Sequence, residues 1–266
     1  MISLTLFKRE CKANAKILLI FLAVVTLYGG VIVAMFDPKL GESLNMMAES
    51  MPQLFDAFGM SNPGSTLLEF VGTYLYGFIL LVIPLICIVL LCHRLIVRYI
   101  DRGSMAYLLA TPNKRIKIIM TQALVLCLSI LLLVVYTYLL VVVFGAMLFD
   151  ETLDLTTFFL LNAGLFGLLF FFSGICFLSS CMFNEAKYAT GMGAGITIFF
   201  ILINMLSQVS DKLEFMNHIN PIALFQVDNI IKQTQGACMS YLVLYVLAIA
   251  FYGFGMYLFQ KKDYYL

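Results

Sequence analysis

Six stretches of the chain run for 20 residues or more without an Asp, Glu, Lys or Arg: 17–36, 70–92, 118–149, 155–184, 188–210 and 233–260. About 20 apolar residues in a helix cross the hydrocarbon core of a bilayer. The pattern therefore predicts an all-α polytopic membrane protein with six transmembrane helices, spanning about 17–36, 70–92, 118–145, 157–183, 188–209 and 237–259. The third, fourth and sixth stretches exceed one crossing, so those helices tilt or project into water. The first is long enough to span and lacks a small-residue cleavage pattern, which argues against a cleavable signal peptide.

The segments between the spans carry patterns of their own. Residues 1–16 predict an N-terminal amphipathic interfacial helix, with Leu4, Phe7, Cys11 and Ala15 on one stripe beside Lys8, Lys12 and Lys16. After the first span, Leu44, Met47, Met51, Leu54 and Phe58 recur at near-helical spacing before a Gly59, Pro63, Gly64 turn cluster. Asn220-Pro221 interrupts the apolar run 215–231, which predicts an outer re-entrant segment over 213–232. Non-helical backbone at membrane depth is tolerated only when protein covers it.

Composition narrows the class. Hydrophobic residues make up 62% of the chain and charged residues 12%, about half the charge of an ordinary soluble domain. That excludes a soluble enzyme, a nucleic-acid binder and a disordered tail. The charges that remain alternate in sign along the chain. Lys8, Arg9, Lys12 and Lys16 precede the first span, and Asp37, Glu42, Glu49, Asp56 and Glu69 follow it. Arg94, Arg98, Arg102, Lys114, Arg115 and Lys117 lie in the second connection, Asp150, Glu151 and Asp154 in the third, and Lys261 and Lys262 in the tail. Taking alternate connections together puts 13 of the 16 lysines and arginines on one side. The positive-inside rule makes that side, with both termini, cytoplasmic, and the plasma membrane the expected location.

Several chemistries find no support. The chain has no GxxxxGK[ST] phosphate loop and no HExxH pattern. Its seven cysteines form no CxxC pair and read as small apolar residues, and two histidines are too few to suggest a metal site. No ionisable pair lies inside a span, as a proton-coupled carrier or an intramembrane enzyme requires. What polarity the spans hold is modest. Pro84 sits in the middle of the second and removes one backbone hydrogen bond, which serves either as a gate or as a static kink. Gly191, Gly193 and Gly195 open the fifth and allow close helix approach. Asn204 and Gln208 share a face one turn apart, either as interhelical glue or as part of a substrate path. The remaining wall, rich in Phe, Tyr and Met, suits a hydrophobic or amphipathic cargo.

The second connection, 93–117, is the most informative. Its basic residues bracket a short apolar helix that Thr111-Pro112 ends. An ordinary basic inner loop accounts for the charge, but not for the apolar Tyr107, Leu108 and Leu109. The run YIDRGSMAYLLATPNKR, Tyr99 to Arg115, resembles the inner loop of ABC-2 type transporter permeases: an acidic residue, Gly-Ser, a Tyr-Leu-Leu core, a proline and a closing arginine. In this chain Asp101 stands two places before Gly103, where many members carry a glutamate and a longer acidic stretch.

The resemblance implies the membrane subunit of an exporter that binds no cofactor itself and works with a separate ABC ATPase carrying ATP and magnesium. It also implies a second permease copy, identical or paralogous, within the lipid bilayer. The second connection would be the segment that docks in the ATPase, through Gly103, Ser104, Tyr107, Leu108 and Leu109, with Arg98 and Arg115 flanking and Glu185 in a smaller second contact. The substrate path would involve Pro84, Asn204 and Gln208. Small six-span members of this family export antimicrobial or cytolytic peptides, drugs or sodium, and the apolar wall favours amphipathic peptides. A drug or sodium efflux permease, or a non-transporting sensor for an ATPase, remains the alternative.

Overall fold

The computed structural model describes residues 2–36, 50–51, 66–105, 108, 114–149, 153–209, 220–231 and 237–262, and among these it contains helices and no strand. The helices are α1 (Leu4–Ala34), α2 (Leu67–Asp101), α3 (Arg115–Leu148), α4 (Leu155–Met182), α5 (Ala186–Val209), a short α6 (Val227–Ile231) and α7 (Ala237–Lys261). All but α6 are long and apolar enough to cross a membrane. Tyr107, Leu109 and most of the expected helix over 44–58 lie outside the described residues.

α4 is the axle of the bundle. Phe158, Leu161, Phe171, Phe177 and Cys181 point to different sides of it and are all buried. A helix apolar on every side is stable only when every side is covered. The run Phe170-Phe171-Phe172 packs accordingly: Phe170 stacks on Tyr252 of α7 at 5.1 Å, and Phe171 meets Phe251 at 5.6 Å. Asp154 starts this helix. Its carboxylate accepts from the Thr157 hydroxyl at 2.6 Å and from the Thr156 and Thr157 amides, and these bonds hold the carboxyl below its usual value.

α1 does not divide at residue 16: one unbroken helix joins the expected interfacial segment to the first span. At 1.5 Å per residue it is about 46 Å long, so its first turns extend past a hydrocarbon core of about 30 Å. The face turned to the protein is a different one from the apolar stripe. Ser3, Leu6, Glu10 and Asn14 are buried, while Leu4 is 72% exposed and Cys11 is exposed. Polar partners on α2 and α3 meet this face. The Ser3 amide donates to Thr121 at 3.1 Å, and Glu10 accepts from Tyr99.

α2 begins with a capping box: the Glu69 amide donates to Thr66 Oγ1, and the Thr66 amide donates to the Glu69 carboxylate. Two stretches of this helix, Gly72–Ile79 and His93–Val97, are π-helical, a form that is rare and concentrates at functional sites. At the far end, remote from the basic residues, Phe36 of the α1 terminus packs against Phe70 of α2 and Phe149 after α3. Asn220 caps a 3-10 turn, Pro221–Leu224, with Ile222 and Phe225 buried around it.

Of the three glycines that open α5, only one is needed by the chain's own packing. A Cβ at Gly193 would stand 3.1 Å from the Cα of Cys176 on α4, whereas at Gly191 and Gly195 it would meet nothing within 4 Å. Gly193→Val is therefore expected to destabilise the protein by about 1–3 kcal/mol by forcing two backbones apart. Gly191→Val should leave the melting temperature of the detergent-solubilised monomer nearly unchanged, and equal melting of both variants would reject this packing.

Candidate functional site

The last turn of α2 shows how the second connection leaves the membrane. The Gly103 amide donates to the Ile100 carbonyl at 3.0 Å, and Gly103 has a φ of +67°, the left-handed conformation that glycine adopts without strain. Ser104 Oγ donates to the Tyr99 carbonyl at 3.3 Å, closing the turn. Asp101, Arg102 and Gly103 are exposed, and Met105 turns back into the core. Leu108 is half-buried and packs against the core of the bundle, so it is less open than an exposed apolar patch would be. Arg98 lies with its guanidinium 5.8 Å from the Tyr99 ring.

Around this turn, side chains from one helix satisfy the backbone ends of another. Asp101 Oδ1 accepts from the Ala186 amide, at the start of α5, at 3.0 Å. Arg115 Nη1 donates to the carbonyls of Lys262, at 3.0 Å, and Gln260 at the end of α7. Lys262 Nζ donates to the Cys181 carbonyl at the end of α4, and burial of that ammonium lowers its pKa below the usual lysine value. Each charge has the sign that the helix dipole favours, an anion at an N-terminus and cations at C-termini. Arg94 adds a bond to the Ala13 carbonyl of α1. Glu10 is almost fully buried and accepts from the Tyr99 hydroxyl at 2.7 Å. Glu185 is exposed beside Ala186, so the second expected contact lies directly against Asp101.

The charge pattern does not disclose these pairings, because Glu10 and Asp101 each stand alone among basic residues in their segments of the chain. Only the Thr66-x-x-Glu69 spacing announced its cap in the sequence. Buried side-chain atoms with no hydrogen-bond partner also gather at the basic end: Asn14 Oδ1, Arg94 Nε and both amide atoms of Gln122 on α3.

At the far end a pocket of about 320 Å³ opens between α2, α5 and the segment 221–229. Gly72, Thr73 and Tyr76 from the π-helical stretch form one wall, Asn204 and Gln208 another, and Gln226, Asp228 and Asn229 the third. Among the described residues no lysine or arginine lines it. Asn204 and Gln208 thus share both a face and a cavity. Asn204 Oδ1 also accepts from Asn220 Nδ2 at 3.4 Å, so this amide joins helices as well as lining the space. Pro84 is buried three residues past Leu81, the last α2 residue of the wall, and does not itself line the pocket. The six described cysteines are free thiols, and no group of metal-ligating side chains occurs among the described residues.

Two substitutions should move stability in opposite directions. Gln122→Met removes a buried amide that has no partner and is expected to stabilise the protein by about 1–3 kcal/mol. Tyr99→Phe leaves the buried Glu10 carboxylate without its donor and should destabilise by a similar amount. Thermal unfolding in one detergent reads both, and a change of the same sign in the two variants would contradict the hydrogen-bond assignment.

A family model described as ABC-2 family transporter protein matches residues 10–264. No curated protein matches the chain.

Proposed function

The chain belongs to the ABC-2 family of transporter proteins, which makes it a multi-pass permease subunit served by an ABC ATPase, and we propose that it works as an exporter of amphipathic peptides. The observation that carries this reading is the arrangement of the basic end. The Gly103 turn and the start of α5 meet through Asp101 and present Arg102, Gly103, Glu185 and Lys187 to solvent side by side. The ATPase subunit, holding ATP and magnesium, docks here through Gly103, Ser104 and Leu108, together with Tyr107 and Leu109, which lie outside the described residues, and with Arg98, Arg115 and Glu185 supplying charge. The basic end then faces the cytoplasm, the termini with it, and the membrane is the plasma membrane.

Cargo passes toward the far-end pocket along Asn204 and Gln208, with Pro84 shaping α2 from behind. The amides, the hydroxyls and the carboxylate of Asp228 offer partners to a peptide's polar groups, while the apolar helix faces accept its side chains. Transport alternates access as nucleotide closes the ATPase pair beneath a pair of permeases. The second permease copy meets α5, whose exposed side carries Tyr188, Met192, Phe199, Leu202 and Leu206 around Gly191 and Gly195. That spacing of small residues suits close helix pairing in lipid.

Arg102→Glu combined with Glu185→Lys reverses exposed charge on the docking surface without touching the spans. Recovery of the co-expressed ATPase on the tagged permease is expected to fall at least about tenfold (roughly 1.4 kcal/mol), with the size-exclusion profile unchanged. Equal recovery would reject the surface. A non-transporting sensor would bind the ATPase equally well but leave its hydrolysis unchanged by added amphipathic peptide, whereas an exporter's partner accelerates. Gly191→Phe should lower cysteine-free chemical cross-linking of the permease to itself while the monomer still folds.

A further inference from the structure

The bond between Asp101 and Ala186 has a consequence beyond docking. α5 is held at two places: near its far end by Asn220, whose Nδ2 donates to the Phe200 carbonyl at 3.2 Å and to Asn204 Oδ1, and by its neighbours through its first two turns. The Ala186 amide donates to Asp101, Ser179 Oγ donates to the Ala189 carbonyl at 2.7 Å, His93 Nδ1 lies 3.1 Å from Thr190 Oγ1, and Gly193 packs on Cys176. Beyond these turns one side of the helix is bare: Ile198, Phe199, Leu202 and Leu206 are exposed. Asn204 and Gln208, in the pocket wall, stand 18 and 22 residues beyond Ala186 on the same unbroken helix. At 1.5 Å per residue that is about 27–33 Å, most of the thickness of a membrane.

We propose that Asp101 is a positioning residue that ties the docking turn to the first residue of α5, so that displacement of the turn swings the helix and reshapes the far-end pocket. The proposal rests on the reading that the basic end docks an ATPase. The carboxylate suits the task for a physical reason. The first amides of a helix lack partners within it, and a carboxylate placed there is held both by hydrogen bonding and by the helix dipole. Asp101 ends the last turn of α2 and precedes Gly103 by two residues, so it cannot stay still when that turn moves. Coupling through one rigid element with a fixed attachment needs no chain of intermediates.

The test uses the permease–ATPase complex in lipid nanodiscs. The permease contains no tryptophan, so Gln226→Trp places its single indole in the pocket wall. Emission is read as the difference from the same complex lacking that substitution, before and after ATP with vanadate. The expected result is a nucleotide-dependent change with Asp101 intact, a loss of at least about fivefold in Asp101→Ala, and partial recovery in Asp101→Asn, which keeps an oxygen acceptor without the charge. ATPase recovery should stay within error in both variants, and both should keep the parent's size-exclusion profile. A full signal in Asp101→Ala overturns the proposal, as does the absence of any signal in the parent complex. Loss of the ATPase from Asp101→Ala alone would also overturn it, making Asp101 a docking contact. Failure of the parent itself to bind the ATPase would instead strike the docking reading, and the proposal with it.

Discussion

Backbone groups at the ends of membrane helices have nowhere to turn but to protein or to the thin polar layer at the surface. The basic end of this bundle meets that constraint by lending charges between helices. Asp101 serves the start of α5, Arg115 the end of α7, Lys262 the end of α4, and Arg94 a carbonyl of α1. Four connections that are far apart in the chain are thereby held in one layer. The far end uses local devices instead, the Thr66–Glu69 box, the Asp154 cap and the Asn220 turn, each made from residues a few positions apart. The two ends are thus built differently, one cross-linked and one assembled from separate caps.

Packing follows the same division. α4 is enclosed on all sides and gives the bundle its fixed centre, while α1, α5 and α7 keep broad apolar faces outward. For a membrane protein such faces rest against lipid or another helix at no cost in hydration. They leave α5 less enclosed than α4 beyond its first two turns, and α5, like α2, reaches both the docking turn and the pocket. A rigid helix attached at its start to the docking turn and near its far end to Asn220 carries a shift at the first attachment to the pocket.

The pocket redirects the reading of cargo. An apolar, methionine-rich wall is what the composition of the spans suggests, yet the walls of the cavity include Thr73, Tyr76, Asn204, Gln208, Gln226 and Asp228. These come from three separate stretches of chain, and in each they are outnumbered by apolar neighbours. Sequence averages over a span hide such a convergence, because one polar residue per turn on one face barely alters hydropathy. The π-helical stretch of α2 contributes by changing the face its residues present relative to an ordinary α-helix.

The sequence by itself determined six spanning helices, the alternation of basic and acidic connections, and the inner-loop resemblance by which the family could be named. Each is a local property, since twenty apolar residues or a run of lysines has the same meaning wherever it folds. It also put Asn204 and Gln208 on one face, because helical spacing alone requires that. Tertiary structure decided the rest: that α1 runs on without a break and buries Glu10, that Asp101 caps a helix 85 residues away, that Gly193 and not Gly191 touches a neighbour, and that Pro84 stays out of the pocket. These outcomes depend on which helix ends come together. A hydrogen bond or a close backbone approach is set by distance in space, which no local spacing encodes.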